Sequence, residues 1–172
     1  MILSGPIGAG KTTVAKELVK ITPDPVAYIE GDTFWSYLPH AKGKDIERNA
    51  PIVMRAMTAA SVPFAVTGHE VILDFTFGPW FLETVQRIVR DRAPIDYVIL
   101  SPSLEVCAER AANRPEGKIT DYGIYKPLYD SFEGANKHLI SEDSMSAKDV
   151  AAMIRKGLDL GEFRLAPDRK LH

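Results

Sequence analysis

Cysteine is almost missing from this chain of 172 residues: Cys107 stands alone. A lone thiol excludes an intrachain disulfide and makes a reducing compartment the simplest expectation. Cys107 falls in a helical pattern with Leu104, Ala108 and Ala111, so buried packing is its expected role. The four histidines, His40, His69, His138 and His172, are scattered, and no cysteine–histidine cluster has the spacing of a metal site. No apolar run approaches the roughly 18 residues that cross a bilayer. A basic leader followed by an apolar stretch is also lacking, and a glycine loop begins at residue 5, so the expectation is no signal peptide and a cytoplasmic location. Neither sign of charge dominates: 21 Lys and Arg face 23 Asp and Glu, for a net charge of -2 and a pI near 6.1. That balance excludes a global attraction to nucleic acid or anionic membrane and leaves only a local basic patch open. No internal repeat, low-complexity segment or linker divides the chain.

What remains is an ordinary globular composition, 45% hydrophobic and 26% charged, in a length that suits one domain with one sizeable core. Short apolar runs at 1–4, 26–29, 71–74, 95–100 and, more weakly, 138–141 read as strands. Between them, residues 11–21, 81–90 and 104–112 carry apolar residues at helical spacing. Residues 33–45 read as a short helix and loop. Residues 45–67 read as helical, with Pro51 suggesting a start, Pro63 a kink or break, and Gly68 a stop. Residues 114–127 are polar and without period, 128–136 suggest a short helix, and Ser146-Ala-Lys-Asp149 resembles a capping box that opens a last helix to about Leu158. The tail from Gly161 reads as polar and loose. Strands alternating with helices imply parallel pairing in an α/β sandwich.

The strongest signal is Gly5-Pro6-Ile7-Gly8-Ala9-Gly10-Lys11-Thr12. It satisfies G-x-x-x-x-G-K-[ST] in full, directly after one expected strand and at the start of one expected helix. Glycines let such a loop curl until its N–H groups point inward at phosphate oxygens, and the helix N-terminus adds positive potential at the same spot. Gly5 to Thr13 are therefore the expected nucleotide contacts. Lys11 would reach the β- and γ-phosphates, and the Thr12 hydroxyl would ligate Mg²⁺. A chance match in a chain of this length is on the order of one in a few hundred.

With these residues the sequence resembles the small P-loop kinases of the shikimate kinase, gluconate kinase and chloramphenicol phosphotransferase type. The resemblance implies a three-layer sandwich around a five-stranded parallel sheet in order 2-3-1-4-5. It implies one domain over 1–172, with an acceptor region at about 33–67 and a lid at about 114–127. It also implies transfer of the ATP γ-phosphate to a hydroxyl of a small molecule, with Mg²⁺. On that plan, Glu30-Gly31-Asp32 follows strand two, where carboxylates face the γ-phosphate. In extended chain, positions 30 and 32 point the same way, and Asp32 is the expected base and acceptor contact, its competing role being to cap the next helix. Asp74 ends strand three as a Walker B carboxylate does and is the second expected metal residue beside Thr12; its competing role is to start a turn. Arg110 and Arg114, four apart, run into the lid and would offset charge in the transition state; Lys118 and Lys126 are further candidates. Arg48, Arg55 and Trp35, with Phe34, Phe77 and Trp80, fall where the resemblance implies an acceptor pocket, against ordinary core packing for the aromatics. The run Phe75-Thr76-Phe77-Gly78 departs from the glycine-rich stretch of shikimate kinases.

Other readings stay open: a nucleotide, nucleotide-sugar or polynucleotide 5′-kinase, or a nucleotide-binding protein without catalysis. A GTP-dependent switch is a weaker fit, because Asn136-Lys137-His138-Leu139 lacks the aspartate of a guanine-reading Asn-Lys-x-Asp motif. The sequence names no acceptor and no oligomeric state.

Overall fold

A computed structural model describes residues 1–40, 46–115, 117–135, 138–141 and 143–166. Strand β1 (Ile2–Ser4) leads through the glycine loop into α1 (Lys11–Ile21). There follow β2 (Val26–Glu30), a 3₁₀ segment (Gly31–Tyr37), α2 (Ile46–Val66) and β3 (Glu70–Asp74). The chain continues with α3 (Leu82–Val89), β4 (Tyr97–Leu100), α4 (Leu104–Ala112), α5 (Lys126–Asp130), β5 (Leu139–Ile140) and α6 (Ala147–Asp159). The five strands pair in parallel in the order β2-β3-β1-β4-β5, as expected.

Alternation along the central strands sorts the core into two layers. Leu3, Ile72, Val98 and Leu100 face α1, α4 and α6, where Leu18, Cys107 and Ile154 are fully buried. Ile2, Val71, Leu73, Tyr97 and Ile99 face α2 and α3, against Met57, Phe81 and Val85. Because every strand runs the same way, all carboxyl ends share one edge. Register places Leu3 of β1 and Glu30 of β2 on either side of Asp74 of β3.

Several local expectations are corrected. Helix α2 runs through both Pro51 and Pro63, since each proline removes one backbone donor while packing of Met54, Met57 and Val62 in the core holds the helix in place. The region 33–45 is a 3₁₀ segment over Gly31–Tyr37, and 41–45 lie outside the described residues. Helix α3 starts at Leu82 after a 3₁₀ turn that contains Pro79. The helix expected at 128–136 is instead α5, two residues earlier, and Asn136 lies outside the described residues. The tail is docked through Leu165: Phe163 is buried, Arg164 pairs with Asp96 at 2.8 Å, and Leu165 N–H donates to the Ile95 carbonyl. The capping box at α6 forms in altered form. Ser146 Oγ accepts from Asp149 N–H and donates to the Asp149 carboxylate.

Candidate functional site

The loop between β1 and α1 lies at the carboxyl edge, between β3 and β4. Its curl depends on glycine. Gly5 and Gly8 have φ of +144° and +83°, and a Cβ on them would lie 2.2 Å from the carbonyl oxygens of Leu100 and Cys107 respectively. The loop therefore packs directly on the backbones of β4 and α4. Helix α1 begins after Gly10 in left-handed conformation, with no side-chain cap and no acid in its first turn. Its first amides are thus left for an external acceptor, the arrangement that favours an anion.

Lys11 is folded back over this loop, its Nζ donating to Gly5 O at 3.1 Å and Pro6 O at 2.9 Å. Burial is the main cause that brings its pKa down to about 8, opposed by the carboxylates of Asp74 and Asp32 and reinforced by the Arg114 guanidinium. Three expected site residues, Asp32, Asp74 and Arg114, thus each lie close enough to Lys11 to act on its charge. Thr12 is half-buried on the first turn of α1 and Thr13 is exposed.

Asp74 is buried at 3% exposure and accepts a hydrogen bond from the Tyr28 hydroxyl at 2.9 Å. Burial, and then the Asp74 charge, push the Tyr28 phenol upward. Glu30, opposite Asp74 in register, is half-buried, and burial followed by the Asp74 charge holds its carboxyl above the usual range. Asp32 is exposed in the first turn of the 3₁₀ segment. The extended geometry expected for residues 30 to 32 is therefore corrected: the backbone turns at Gly31, where a Cβ would strike the Phe75 ring. Asp32 does not cap that segment either, because Glu30 is the N-cap residue and no side chain caps it.

The Phe75-Thr76-Phe77 run stitches β3 to the loop. Thr76 Oγ1 donates to Gly5 O at 3.2 Å, while Ser4 Oγ donates to Phe77 O at 2.7 Å and accepts from Phe77 N–H at 2.9 Å. Phe77 is fully buried, so it belongs to the core and not to a pocket. Phe34 and Trp35 are half-buried, and Trp80 is exposed beside Phe132. Arg48 is exposed on α2. Arg55 is also exposed there, donates to Pro51 O and lies 5.6 Å from the centre of the Phe81 ring.

Arg110 and Arg114 do not share a helix face, since α4 ends at Ala112. Arg110 borders a cavity of about 210 Å³ beside the loop, formed with Ala9, Gly10, Pro102, Ile140 and Met145. The segment proposed as a lid is partly folded: Tyr122 is buried, 123–125 form a 3₁₀ turn, and Lys126 is in α5, paired with Asp130 at 2.7 Å. Lys118 is exposed. The Tyr122 hydroxyl donates to the Ile7 carbonyl at 2.6 Å. Cys107 is fully buried beneath the loop, and burial pushes its thiol up to about 11, in keeping with a packing role.

Among the contacts that sequence reasoning missed are those of Tyr28 and Tyr122. Tyr28 carried a weak signal, because it shares a strand face with Glu30. Tyr122 carried none, being 115 residues from its partner.

The residues expected to hold a metal, Thr12 and Asp74, carry oxygen donors, the type a hard cation takes. Among the described residues, no group of three or more His, Cys, Asp or Glu is arranged to hold a metal. Mg²⁺ does not require one, since it takes one or two carboxylates with substrate phosphates and water, and Thr12, Asp74 and neighbouring Glu30 supply oxygen ligands only.

Among solved structures, the chain is similar to the tunicamycin resistance protein of Deinococcus radiodurans, with 20% identity, a TM-score of 0.70 and coverage of 96% of this chain and 98% of that one. It is similar to a sugar kinase from Janibacter sp. HTCC2649 at 17% identity and a TM-score of 0.65, over 94% of each chain. Shikimate kinase from Acinetobacter baumannii, in complex with shikimate, matches at 19% identity and a TM-score of 0.54, over 93% of this chain and 92% of that one. No curated protein matches the chain in sequence. These likenesses show that the fold is that of the small P-loop kinases. The sequence model of the AAA domain family matches residues 1–121, glycine loop included, and the chain belongs to that family.

Proposed function

We propose that this protein is a phosphotransferase that moves the γ-phosphate of ATP to a hydroxyl of a small molecule. The observation that carries the reading is the convergence at one sheet edge. Asp74, Asp32 and Arg114 each act electrostatically on Lys11, which stands at the uncapped N-terminus of α1. Gly5 to Thr13 would hold the triphosphate through loop and helix amides, with Lys11 on its outer phosphates. The cavity beside Gly10, bordered by Arg110 and Met145, would take the nucleobase. Thr12 and Asp74 would hold Mg²⁺, which when bound supplies charge neutralisation between the phosphates.

The acceptor hydroxyl attacks the γ-phosphorus in line, its proton passes to the Asp32 carboxylate, and the bond to the bridging oxygen breaks to release ADP. Lys11 and Arg114 offset the charge that spreads over the transferring group. The acceptor would enter on the side of Trp35, Arg48 and Arg55. The reading carries a soluble cytoplasmic enzyme with no membrane partner; no helix among the described residues is long and apolar enough to cross a membrane. A nucleotide, nucleotide-sugar or polynucleotide 5′-kinase would use the same loop and carboxylates with a different acceptor surface.

The test is ATP consumption with Mg²⁺ across an acceptor panel of sugars, sugar acids, shikimate, tunicamycin, phenicols, nucleosides and 5′-hydroxyl oligonucleotides. Acceptor-dependent ADP release with a small hydroxyl compound is the expected result. Consumption indifferent to every acceptor refutes the transferase reading, and dependence on the oligonucleotide alone moves the assignment to the polynucleotide kinase.

A further inference from the structure

The Tyr122–Ile7 contact joins the far end of the polar segment after α4 to the middle of the glycine loop. Tyr122 is 8% exposed, and its ring is set in the same apolar cluster as Ala9, Cys107 and Ala111. The segment is tied closer to α4 as well, by the Ile119 N–H donating to the Ala111 carbonyl at 3.1 Å. The phenol is thus held in place by packing, and its donor is spent on a loop carbonyl that no strand or helix satisfies.

The consequence follows from peptide geometry. The Asp24–Pro25 bond is the cis peptide found among the described residues, so the bond between Ile7 and Gly8 is trans. In a trans peptide the carbonyl and the next N–H lie on opposite edges of one plane. Fixing the Ile7 carbonyl toward Tyr122 therefore fixes the Gly8 N–H on the other edge. Gly8 itself lies at a φ of +83°, close against the Cys107 backbone.

We infer that Tyr122 is a positioning residue of the phosphate site: by holding the Ile7 carbonyl it aims the Gly8 amide at the triphosphate and links the segment after α4 to nucleotide binding. The inference rests on the nucleotide reading above for its ligand and on the hydrogen bond for its geometry. Tyr122 touches no phosphate and acts through the peptide.

Tyr122→Phe keeps the buried ring and removes the hydroxyl. Two readouts separate aim from stability: affinity for Mg²⁺-ATP against affinity for adenosine, and the amide resonance of Gly8 in the free protein. We expect ATP to bind roughly 5- to 10-fold more weakly, the effect of losing one well-made hydrogen bond. Adenosine should bind as before, and the Gly8 resonance should move. Equal loss for ATP and adenosine, or unchanged ATP affinity with an unmoved Gly8 resonance, overturns the inference. If the variant does not fold, the intact protein labelled with ¹³Cζ-tyrosine serves. The Tyr122 signal should shift on adding ATP and not on adding adenosine, and a signal blind to ATP overturns the inference equally. Should the intact protein bind neither ligand, the nucleotide reading fails. The Gly8 resonance of Tyr122→Phe, set against that of the intact protein, still decides whether the tether sets the peptide.

Discussion

At the amino ends of the strands, Arg155 of α6 holds Glu70 at 2.5 Å and Asp159 at 2.6 Å, and Arg164 holds Asp96 at 2.8 Å. At the carboxyl ends, Lys11, Glu30, Asp32 and Asp74 lie near one another, yet among the described residues none of them is in an ion pair. Lys11 is bonded to two carbonyls and Asp74 to a phenol. The same sheet thus neutralises charge at one end and keeps opposite charges unpaired at the other. For buried Asp74 and half-buried Lys11 and Glu30 this arrangement is costly in the fold alone. Their arrangement makes sense as the complement of a charged ligand, as perturbed groups at functional sites generally do.

If this contrast is functional, changes at the two ends must have different effects. The largest is expected for Lys11→Ala, which removes the cation on the phosphates. Turnover should fall on the order of 10² to 10³-fold, with ATP affinity falling too. Unchanged activity in a coupled ADP assay would erase the distinction between the ends. Next, Asp32→Asn should leave ATP binding intact and reduce transfer by about 10² to 10⁴-fold, the range of a lost general base. The parallel variant Glu30→Gln sharpens this. A greater loss there moves the base to the half-buried carboxylate beside Asp74.

Gly8→Ala acts through backbone. Strain at positive φ and contact with the Cys107 carbonyl should cost about 1–3 kcal/mol in chemical denaturation, together with weaker ATP binding. Full stability in this variant would mean that the loop is free to re-form. The smallest effect belongs to the opposite edge. Arg155→Ala should lower stability by about 1 kcal/mol, since its partners are partly solvated, and should leave ATP affinity unchanged. A change in affinity there would couple the two ends and break the comparison.

Reading from sequence succeeded where the determining residues are neighbours. The eight residues from Gly5 to Thr12 carry their own glycines, lysine and hydroxyl, and the short apolar runs of β1, β3 and β4 mark strands buried on both faces. It failed where packing outweighs local preference. Two prolines lie inside α2 because apolar contacts hold that helix, and the polar tail docks because Phe163 finds a hydrophobic site and Arg164 finds Asp96. Residues 30 to 32 were expected to be extended, and the close approach of Phe75 to Gly31 accompanies a turn.

By itself the sequence determined the phosphate-loop chemistry and the alternation of strand and helix, because both are written in short-range spacing. Only the tertiary structure decided which distant groups meet around the loop and the strand ends: Tyr28 on Asp74 and Tyr122 on Ile7. Those partnerships span tens to more than a hundred residues. They exist because parallel strands bring all their carboxyl ends to one edge, which no local pattern encodes.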